Sequence, residues 1–298
     1  MTPELAPEEL AAVDTAIERA LATGDETGLE ILGYGEISTV VAWPAAGGAR
    51  AAKRLPIFPD RAAFEAYAAC VERYLAGLAS AGIETLPTAV QALVRPGGTV
   101  AGYCIQMVHP PENLLHRALG RLEIPGALDV LHGLFDRILA AVTPRLGLDG
   151  QVSNWILGDG RLLYLDVSTP LMRDGRGREA LDVGLFLASL PWALRGLVRR
   201  FMLGKILDKY YEPRGVILDL LGNLHKERLA HLVEPALEVV NPRLAEPITT
   251  GEVLAYYRED ARMWELLQRL RRLDRAWQRR VRRRTYPFLL PGRIERHV

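Results

Sequence analysis

Cysteine is one of the residue types that this chain has little of, with only Cys70 and Cys104 among 298 residues. Two cysteines are too few for a disulfide scaffold or a zinc cluster, so we expect each to be a small buried apolar side chain. No apolar stretch reaches the length of a membrane span, because Arg, Asp or Pro interrupts the richest windows. The first residues are acidic and lack the pattern of a secretion signal. Together these absences predict a cytoplasmic protein.

Two common catalytic patterns are also missing. The six histidines are scattered, and no pair has the spacing of metal ligands. The Gly-x-Ser-x-Gly pattern of a serine nucleophile is absent. The sequence therefore gives no support for a histidine-ligated metal site or a serine hydrolase.

Net charge is nearly absent, since 37 basic residues against 36 acidic ones leave a formal charge of +1. The distribution is uneven, because residues 261–298 hold 12 Arg and 3 acidic residues. With 49% hydrophobic and 24% charged residues, the composition is that of a folded globular protein. Its length allows one large domain or two lobes around a cleft.

The order of predicted elements favours two lobes. Apolar residues three or four apart predict a helix at 7–22, and Asp60 as an N-cap with Gly82 as a stop predicts a second helix at 60–81. The β-rich runs separated by turns predict five strands before residue 109. From Pro110 onwards helix dominates, apart from a small β element over 155–167. We therefore predict an α+β, bilobal fold, with a small β-rich N-lobe at 1–109 and a larger, mainly helical C-lobe at 110–298.

A glycine-rich segment, Gly33-Tyr34-Gly35-Glu36-Ile37-Ser38, lies between two predicted strands. Glycines there allow a tight turn whose backbone N–H groups approach a polyphosphate. The same pattern is also that of a simple hairpin. It lacks the strand-then-helix context of a dinucleotide fingerprint, so we do not expect a Rossmann site.

Lys53 follows two alanines on the third predicted strand. On an otherwise buried strand, its ammonium group could face the cleft and hold phosphate oxygens. The alternative is a solvated lysine on an edge strand.

Three oxygen-bearing side chains come later in the chain. Asp149 and Asn154 are five residues apart on a predicted loop, and Asp166 ends the apolar strand Leu162-Leu163-Tyr164-Leu165. A turn at Gly158-Asp159-Gly160 would fold Asp166 back towards Asn154. Such groups suit a base and a hard cation such as Mg²⁺. The alternative is an α+β protein whose loop acids merely cap turns.

This ordered set resembles the protein-kinase-like superfamily. The chain is most similar to its small-molecule branch, the aminoglycoside phosphotransferase and fructosamine or choline kinase type. There the catalytic loop reads His-Gly-Asp-x4-Asn-Ile-Leu, and Asn154-Trp155-Ile156-Leu157 keeps this ending with one inserted Trp. The segment Leu181–Leu187 resembles a helix start, Asp-Leu-Ala, that often follows in that branch.

The resemblance implies an enzyme that uses ATP and Mg²⁺ to phosphorylate a hydroxyl or amine of a small-molecule acceptor. It implies Asp149 as the catalytic base, and Asn154 and Asp166 as the Mg²⁺ ligands. The nucleotide-binding residues would be Gly33, Gly35 and Ser38 of the glycine loop, Lys53, its partner Glu72 (in preference to Glu65), and Met107 near the adenine.

Departures from the family pattern keep a second hypothesis open. Gly147-Leu148 precede Asp149 where the branch has His-Gly, Val167-Ser168 follow Asp166 in place of Phe-Gly, and no Ala-Pro-Glu is present. These differences disfavour a protein-substrate kinase. They also allow a catalytically weak or inactive kinase-like module that binds a nucleotide or a partner.

The arginine-rich C-terminal region carries an apolar stripe formed by Leu266, Leu270, Leu273, Trp277 and Val281. We expect this stripe to pack on the body of the protein. The surrounding arginines need an acidic neighbour, which could be the acidic remainder of the chain, an anionic membrane surface, a phosphorylated substrate or nucleic acid. We rank nucleic acid below an intramolecular or membrane-surface role, because no known RNA or DNA motif is present.

Overall fold

The computed structural model describes residues 3–35, 38–45, 47–182 and 203–291, together with the single positions 184, 187, 190 and 196. It is a mixed α+β protein, as predicted, with a small antiparallel sheet and several helices. The strands are β1 (Glu30–Tyr34), β2 (Thr39–Trp43), β3 (Arg50–Arg54), β4 (Ala89–Val94), β5 (Val100–Met107), β6 (Trp155–Gly158) and β7 (Arg161–Tyr164). The helices are α1 (Pro7–Thr23), α2 (Arg61–Ser80), α3 (Leu115–Leu119), α4 (Ile124–Ala141), α5 (Leu203–Asp208), α6 (Pro213–Lys226), α7 (Val233–Val240) and α8 (Thr250–Arg280).

Local signals in the sequence set the ends of the first two helices. Pro7 begins α1, and Gly24 ends it in a left-handed conformation with φ of 80°. Asp60 caps α2, as predicted, since its side chain accepts the N–H of Ala63 at 2.8 Å.

The five-stranded sheet has the order β1-β2-β3-β5-β4, and every neighbouring pair is antiparallel. Helix α2 connects β3 to β4. Strand β3 lies between β2 and β5, and Lys53 stands opposite Val40 and Cys104. The alternative of an edge-strand lysine is therefore wrong.

Helices cover both faces of this sheet. On one face, Val13 and Ile17 of α1 share a hydrophobic cluster with Val41, Tyr103 and Ile105. The other face packs against α2, whose Phe64, Tyr67 and Val71 cluster with Phe58 and Cys104. Because side chains alternate along a strand and Lys53 is paired with Cys104, Lys53 belongs to the α2 face.

The largest hydrophobic cluster lies among α3, α4, α6, α7 and the β6–β7 hairpin. Trp155 and Tyr164 are paired across the hairpin and buried, with ring centroids 5.0 Å apart. The turn at Asp159 and Gly160 has positive φ at both residues, which matches the twist of a two-residue hairpin. The predicted β element over 155–167 is thus a hairpin whose second strand leads to Asp166.

The predicted packing of the C-terminal apolar stripe is wrong. Four of its five side chains are exposed, by 50%, 66%, 49% and 57% for Leu266, Leu273, Trp277 and Val281, and Leu270 is half-buried. Met263, which lies one turn before Leu266, is also 48% exposed. The reason is the orientation of α8, whose first half buries Val253, Tyr257 and Ala261. A straight helix continues that buried face onto Gln268, Arg271 and Asp274, so its apolar stripe faces outwards.

Both cysteines are free and buried, as predicted. Among the described residues, no helix combines the length and the apolar character needed to cross a membrane. All strands of the larger sheet precede residue 110. The division into two lobes at that point stays a prediction.

Candidate functional site

The site is centred on an ion pair between the sheet and the β6–β7 hairpin. Lys53 Nζ donates to Asp166 Oδ1 at 2.7 Å, although 113 positions separate the two residues. Both side chains are largely buried, with exposed fractions of 20% and 28%. The structure therefore brings together the predicted strand lysine and the predicted strand-terminal aspartate.

Three further side chains fix the segment that carries Asp166. Ser168 Oγ donates to Asp166 Oδ1 at 2.9 Å, and Tyr67 of α2 donates to the Ser168 carbonyl at 2.8 Å. Gln106 of β5 donates to the carbonyl of Leu165 at 2.8 Å. Burial opposes ionisation of Asp166, but the Lys53 ammonium and the bonds from Ser168 outweigh it and hold the pKa of Asp166 below its usual range. Asp166 is thus a fixed anion.

The loop that carries Asp149 is packed closely against its surroundings. A Cβ at Gly147 would lie 2.9 Å from the Tyr210 carbonyl oxygen, and a Cβ at Gly150 would lie 2.6 Å from a methyl carbon of Val216. The Leu148 N–H donates to the Tyr210 carbonyl at 3.0 Å. Glycine at both positions lets the backbone approach α6 and the turn before it.

Asp149 sits half-buried on this loop, and the Gln151 N–H donates to its Oδ1 at 3.2 Å. Burial and the neighbouring carboxylates of Asp219 and Asp166 raise the pKa of Asp149 to about 7. A carboxyl with this pKa exchanges its proton near neutral pH, as a general base must.

Asn154 connects the Asp149 loop to the hairpin. Its amide nitrogen lies 3.4 Å from the Asp149 carbonyl oxygen, and its own carbonyl accepts the Leu165 N–H at 2.9 Å. The second bond brings the residue before Asp166 against Asn154. The prediction that the hairpin returns Asp166 to the neighbourhood of Asn154 is confirmed.

Sequence reasoning missed a second charged cluster, which lies behind Gln151. Gln151 Nε2 donates to Asp219 Oδ2 at 3.1 Å, and Lys209 Nζ donates to Asp219 Oδ1 at 3.0 Å. Lys209 also donates to the Tyr256 hydroxyl at 2.6 Å, and that hydroxyl in turn donates to Asp219. Although burial works against its charge, Tyr210, Asp219 and Tyr256 raise the pKa of Lys209. The turn before α6, α6 itself and α8 thus contribute Lys209, Asp219 and Tyr256 to a cluster that supports the Asp149 loop through Gln151.

A sequence signal for this cluster existed. Asp219 and Asn223 stand four residues apart inside the apolar run Val216–Leu224, so both lie on one buried face of a helix. A carboxylate in such a position requires a cationic or hydrogen-bonding partner. The sequence did not reveal that the partner would be Lys209.

The predicted partner of Lys53 is not found where expected. Glu72 is exposed on α2, and Lys53 pairs with Asp166 instead. Glu65 is also exposed and pairs with Arg61 at 2.8 Å. The cause is the helical period, because α2 turns Val71 and its apolar neighbours inwards and leaves both glutamates on its outer surface.

The predicted nucleotide-binding residues are distributed along the sheet. The Gly35 N–H donates to the Ser38 carbonyl at 2.9 Å, which closes the β1–β2 hairpin, and Gly33 stands opposite Val40 within it. Ser38 is buried. Met107 is half-buried at the end of β5, opposite Arg50.

Parts of two predicted motifs fall outside the described residues. These are Glu36 and Ile37 of the glycine loop, and Val183, Leu185 and Phe186 of the segment that resembles a helix start.

Two oxygen groups of the site suit Mg²⁺. Asp166 is ionised, and Asn154 directs its amide nitrogen to Asp149, which leaves its amide oxygen for a cation. Within the described part of the chain, no group of three His, Cys, Asp or Glu side chains forms a metal cage. One or two protein oxygens are enough where a substrate phosphate supplies further ligands.

A family model described as a family of unknown function, DUF6206, matches residues 12–275. The chain therefore belongs to this family. No curated protein matches it.

Proposed function

We propose that this protein is an ATP- and Mg²⁺-dependent phosphotransferase that transfers the γ-phosphate to a hydroxyl or amine of a small molecule. The observation that carries the proposal is the convergence of Lys53, Asp166, Asn154 and Asp149 from three separate segments, which are β3, the Asp149 loop and the residues after β7. Lys53 is hydrogen-bonded to Asp166, and Leu165, the residue before Asp166, is hydrogen-bonded to Asn154. Asp149 lies on the same loop and responds to the charge of Asp166.

The surrounding fold supports a bilobal kinase-like arrangement. In protein kinases the phosphate-binding lysine lies on the third strand and is followed by a helix. Here Lys53 lies on β3, and α2 follows it directly. The catalytic loop and the metal-binding aspartate of that superfamily correspond to the Asp149 loop and to Asp166 after the β6–β7 hairpin.

The mechanism assigns opposite roles to the two aspartates. Asp149, with a pKa raised to about 7, accepts the proton of the acceptor hydroxyl as the hydroxyl oxygen attacks the γ-phosphorus of ATP. The bond from that phosphorus to the β,γ-bridging oxygen breaks, and ADP leaves. The Lys53 ammonium exchanges part of its contact with Asp166 for contacts with phosphate oxygens, and it neutralises the charge that develops on them. Gln151 and the cluster behind it keep the Asp149 loop in place.

Asp166 and Asn154 would hold Mg²⁺, which supplies charge neutralisation at the transferred phosphate. Asp166 suits this role because its pKa is lowered and it stays ionised at neutral pH. We expect the activity in the cytoplasm, in keeping with two free cysteine thiols.

The Asp149 loop lacks the histidine of the kinase-like pattern, but other contacts hold this loop in place. Gly147 leaves no room for a side chain, and the Tyr74 hydroxyl donates to the Gly147 carbonyl at 3.1 Å. This bond, together with the backbone bond from Leu148 to Tyr210, braces the loop from both sides. The missing histidine is therefore compatible with an ordered catalytic loop.

A second candidate function is a catalytically weak or inactive kinase-like module. It is favoured by the exposed position of Glu72, because the paired lysine and glutamate of active protein kinases are replaced by the direct pair of Lys53 with Asp166. Such a module would bind a nucleotide or a partner without turnover.

Thermal unfolding with ATP, measured with and without Mg²⁺, tests the proposal. A ligand that binds only the folded state raises the melting temperature by mass action. We expect a Mg²⁺-dependent rise in the wild type, and its loss in Asp166→Asn. Asp159→Asn is the matched control, since Asp159 is exposed in the hairpin turn and asparagine tolerates its positive φ.

The outcomes separate the two candidates. A Mg²⁺-dependent rise together with ADP formation in the presence of a panel of acceptors supports the phosphotransferase. A rise that Asp166→Asn leaves unchanged, without ADP formation for any acceptor, supports the inactive module. No rise with any nucleotide contradicts the phosphotransferase and the nucleotide-binding form of the module, and leaves only the partner-binding form.

A further inference from the structure

Over its second half, helix α8 buries polar side chains and exposes apolar ones. Gln268, Arg271 and Asp274 are at least nine-tenths buried, whereas the exposed stripe of Met263, Leu266, Leu273, Trp277 and Val281 faces outwards. Members of the stripe are three, four or seven residues apart, so they form one line along the helix. The line extends about 27 Å at the rise of an α-helix.

A line of positive charge runs beside the exposed stripe. Arg262, Arg269 and Arg280 are exposed and are seven and eleven residues apart, which places them on a common face next to the apolar one. Residues 266–284 contain nine arginines, of which Arg271 is buried, and one acidic residue, Asp274, which is also buried. The exposed surface is therefore apolar along one line and cationic along the next.

We propose that this face of α8 docks on an anionic lipid bilayer. A bilayer interface presents anionic headgroups beside acyl chains, so one surface satisfies both lines at once. Trp277 suits this position, because indole favours the boundary between headgroups and hydrocarbon. The proposal concerns peripheral binding and is independent of the phosphotransferase activity.

Other occupants match only one of the two lines. A second copy of the chain would cover the apolar stripe, but it would bring two arginine-rich surfaces together, and these repel each other. Nucleic acid would neutralise the arginines and leave the stripe exposed to water. An acidic protein surface would need a line of apolar side chains beside a line of acidic ones. Any anionic bilayer presents apolar and anionic groups together without such a match.

Co-sedimentation with vesicles tests the proposal. We expect the full-length protein to bind vesicles of equal parts phosphatidylcholine and phosphatidylglycerol, and not vesicles of phosphatidylcholine alone. High salt should weaken the binding, since screening reduces the attraction of exposed charges. On binding, Trp277 should move its fluorescence to shorter wavelength, and Trp277→Phe should abolish that change while it preserves binding.

Two kinds of substitution separate the apolar and cationic contributions. Leu273→Gln with Trp277→Gln removes apolar contact, and Arg269→Gln with Arg280→Gln removes charge. We expect each pair to reduce vesicle binding about tenfold or more. Leu122→Gln controls for an exposed leucine elsewhere, and Arg61→Gln controls for Arg269, because both arginines are 75% exposed and pair with a glutamate four residues away.

Several results would overturn the proposal. These are equal binding to neutral and anionic vesicles, no vesicle binding, binding to polyglutamate without vesicle binding, or a dimer in sedimentation that Leu273→Gln dissociates. The ligand-free melting temperature of each variant verifies that it is folded. Because the arginine substitutions are on the surface, they keep the test available if an apolar substitution destabilises the fold.

Discussion

The two aspartates of the candidate site differ in the charges around them. Asp166 forms a direct ion pair, in which Lys53 Nζ lies 2.7 Å from Asp166 Oδ1. Asp149 has no such direct partner among the described contacts, and it shares the field of Lys209 with a second carboxylate, Asp219. Burial raises the pKa of both, but only Asp166 receives enough compensation to stay below its ordinary value.

This difference shows how one residue type can serve two roles in one site. A carboxyl that stays ionised suits a metal or a cation, and a carboxyl that titrates near 7 suits proton transfer. The division depends on the distribution of lysines, with Lys53 on the sheet side and Lys209 on the helical side. Substitution of Lys53 should therefore mainly change the pKa of Asp166, and substitution of Lys209 should mainly change the pKa of Asp149.

The largest expected effect comes from Asp149→Asn. If Asp149 is the base, this change should lower the rate of phosphate transfer about 10²–10⁴-fold, because the asparagine cannot accept a proton. Binding of Mg²⁺ and ATP, measured by thermal unfolding, should remain. Asp159→Asn should leave both unchanged, and equal rates for the two variants would remove Asp149 from the mechanism.

The same substitution should change stability in a pH-dependent way. Because the folded-state pKa of Asp149 is raised, the native state binds more protons than the unfolded state between about pH 4 and 7. The free energy of unfolding therefore falls as pH rises through this window. At pH 8, Asp149→Asn should be about 1–2 kcal/mol more stable than the wild type, the full shift being reduced for partial exposure. Denaturant unfolding at pH 5 and 8 measures this difference.

Lys53→Met removes the direct partner of Asp166. We expect the free energy of unfolding at pH 7 to fall by about 1–2 kcal/mol, because a largely buried carboxylate loses its cation. The lowered folded-state pKa of Asp166 contributes stability above the unfolded pKa, and this contribution disappears as pH falls through the folded pKa. The difference between variant and wild type should shrink at acidic pH. Arg61→Gln, at an exposed ion pair, should show little change at either pH.

The smallest and most specific effects come from the cluster behind Gln151. Asp219→Asn removes a negative charge near Asp149 and should lower the pH midpoint of Asp149 by about one pH unit. Lys209→Met removes a positive charge and should raise that midpoint. Neither should change Asp166 appreciably. Shifts of Asp149 in the same direction for both variants would contradict the electrostatic explanation.

Much of the fold followed from local patterns in the sequence. Apolar period, glycine turns and the Asp60 cap act over a few residues. They predict the first two helices, the strands around Lys53 and the hairpin before Asp166. Contacts between distant segments were predictable only through the kinase-like resemblance. That resemblance named Lys53, Asp149, Asn154 and Asp166 together.

The failures have a common physical origin in tertiary packing. Spacing from Lys53 favours Glu72, but the apolar residues of α2 determine which face of this helix points inwards. The apolar character of the α8 stripe predicts its burial, but the first half of the helix fixes the rotation of the helix. No local pattern in the sequence connects Lys209, in the turn before α6, with Asp219 on α6 or with Tyr256 on α8.

The most direct test of this account is a carbon-13 NMR titration of the aspartate side-chain carboxyls, with Asp149→Asn and Asp166→Asn for assignment. We predict one carboxyl that titrates near pH 7 and is missing from Asp149→Asn. A second, missing from Asp166→Asn, should remain ionised down to below its ordinary pKa. Midpoints near the ordinary aspartate value for both carboxyls would contradict the division of roles between Asp149 and Asp166.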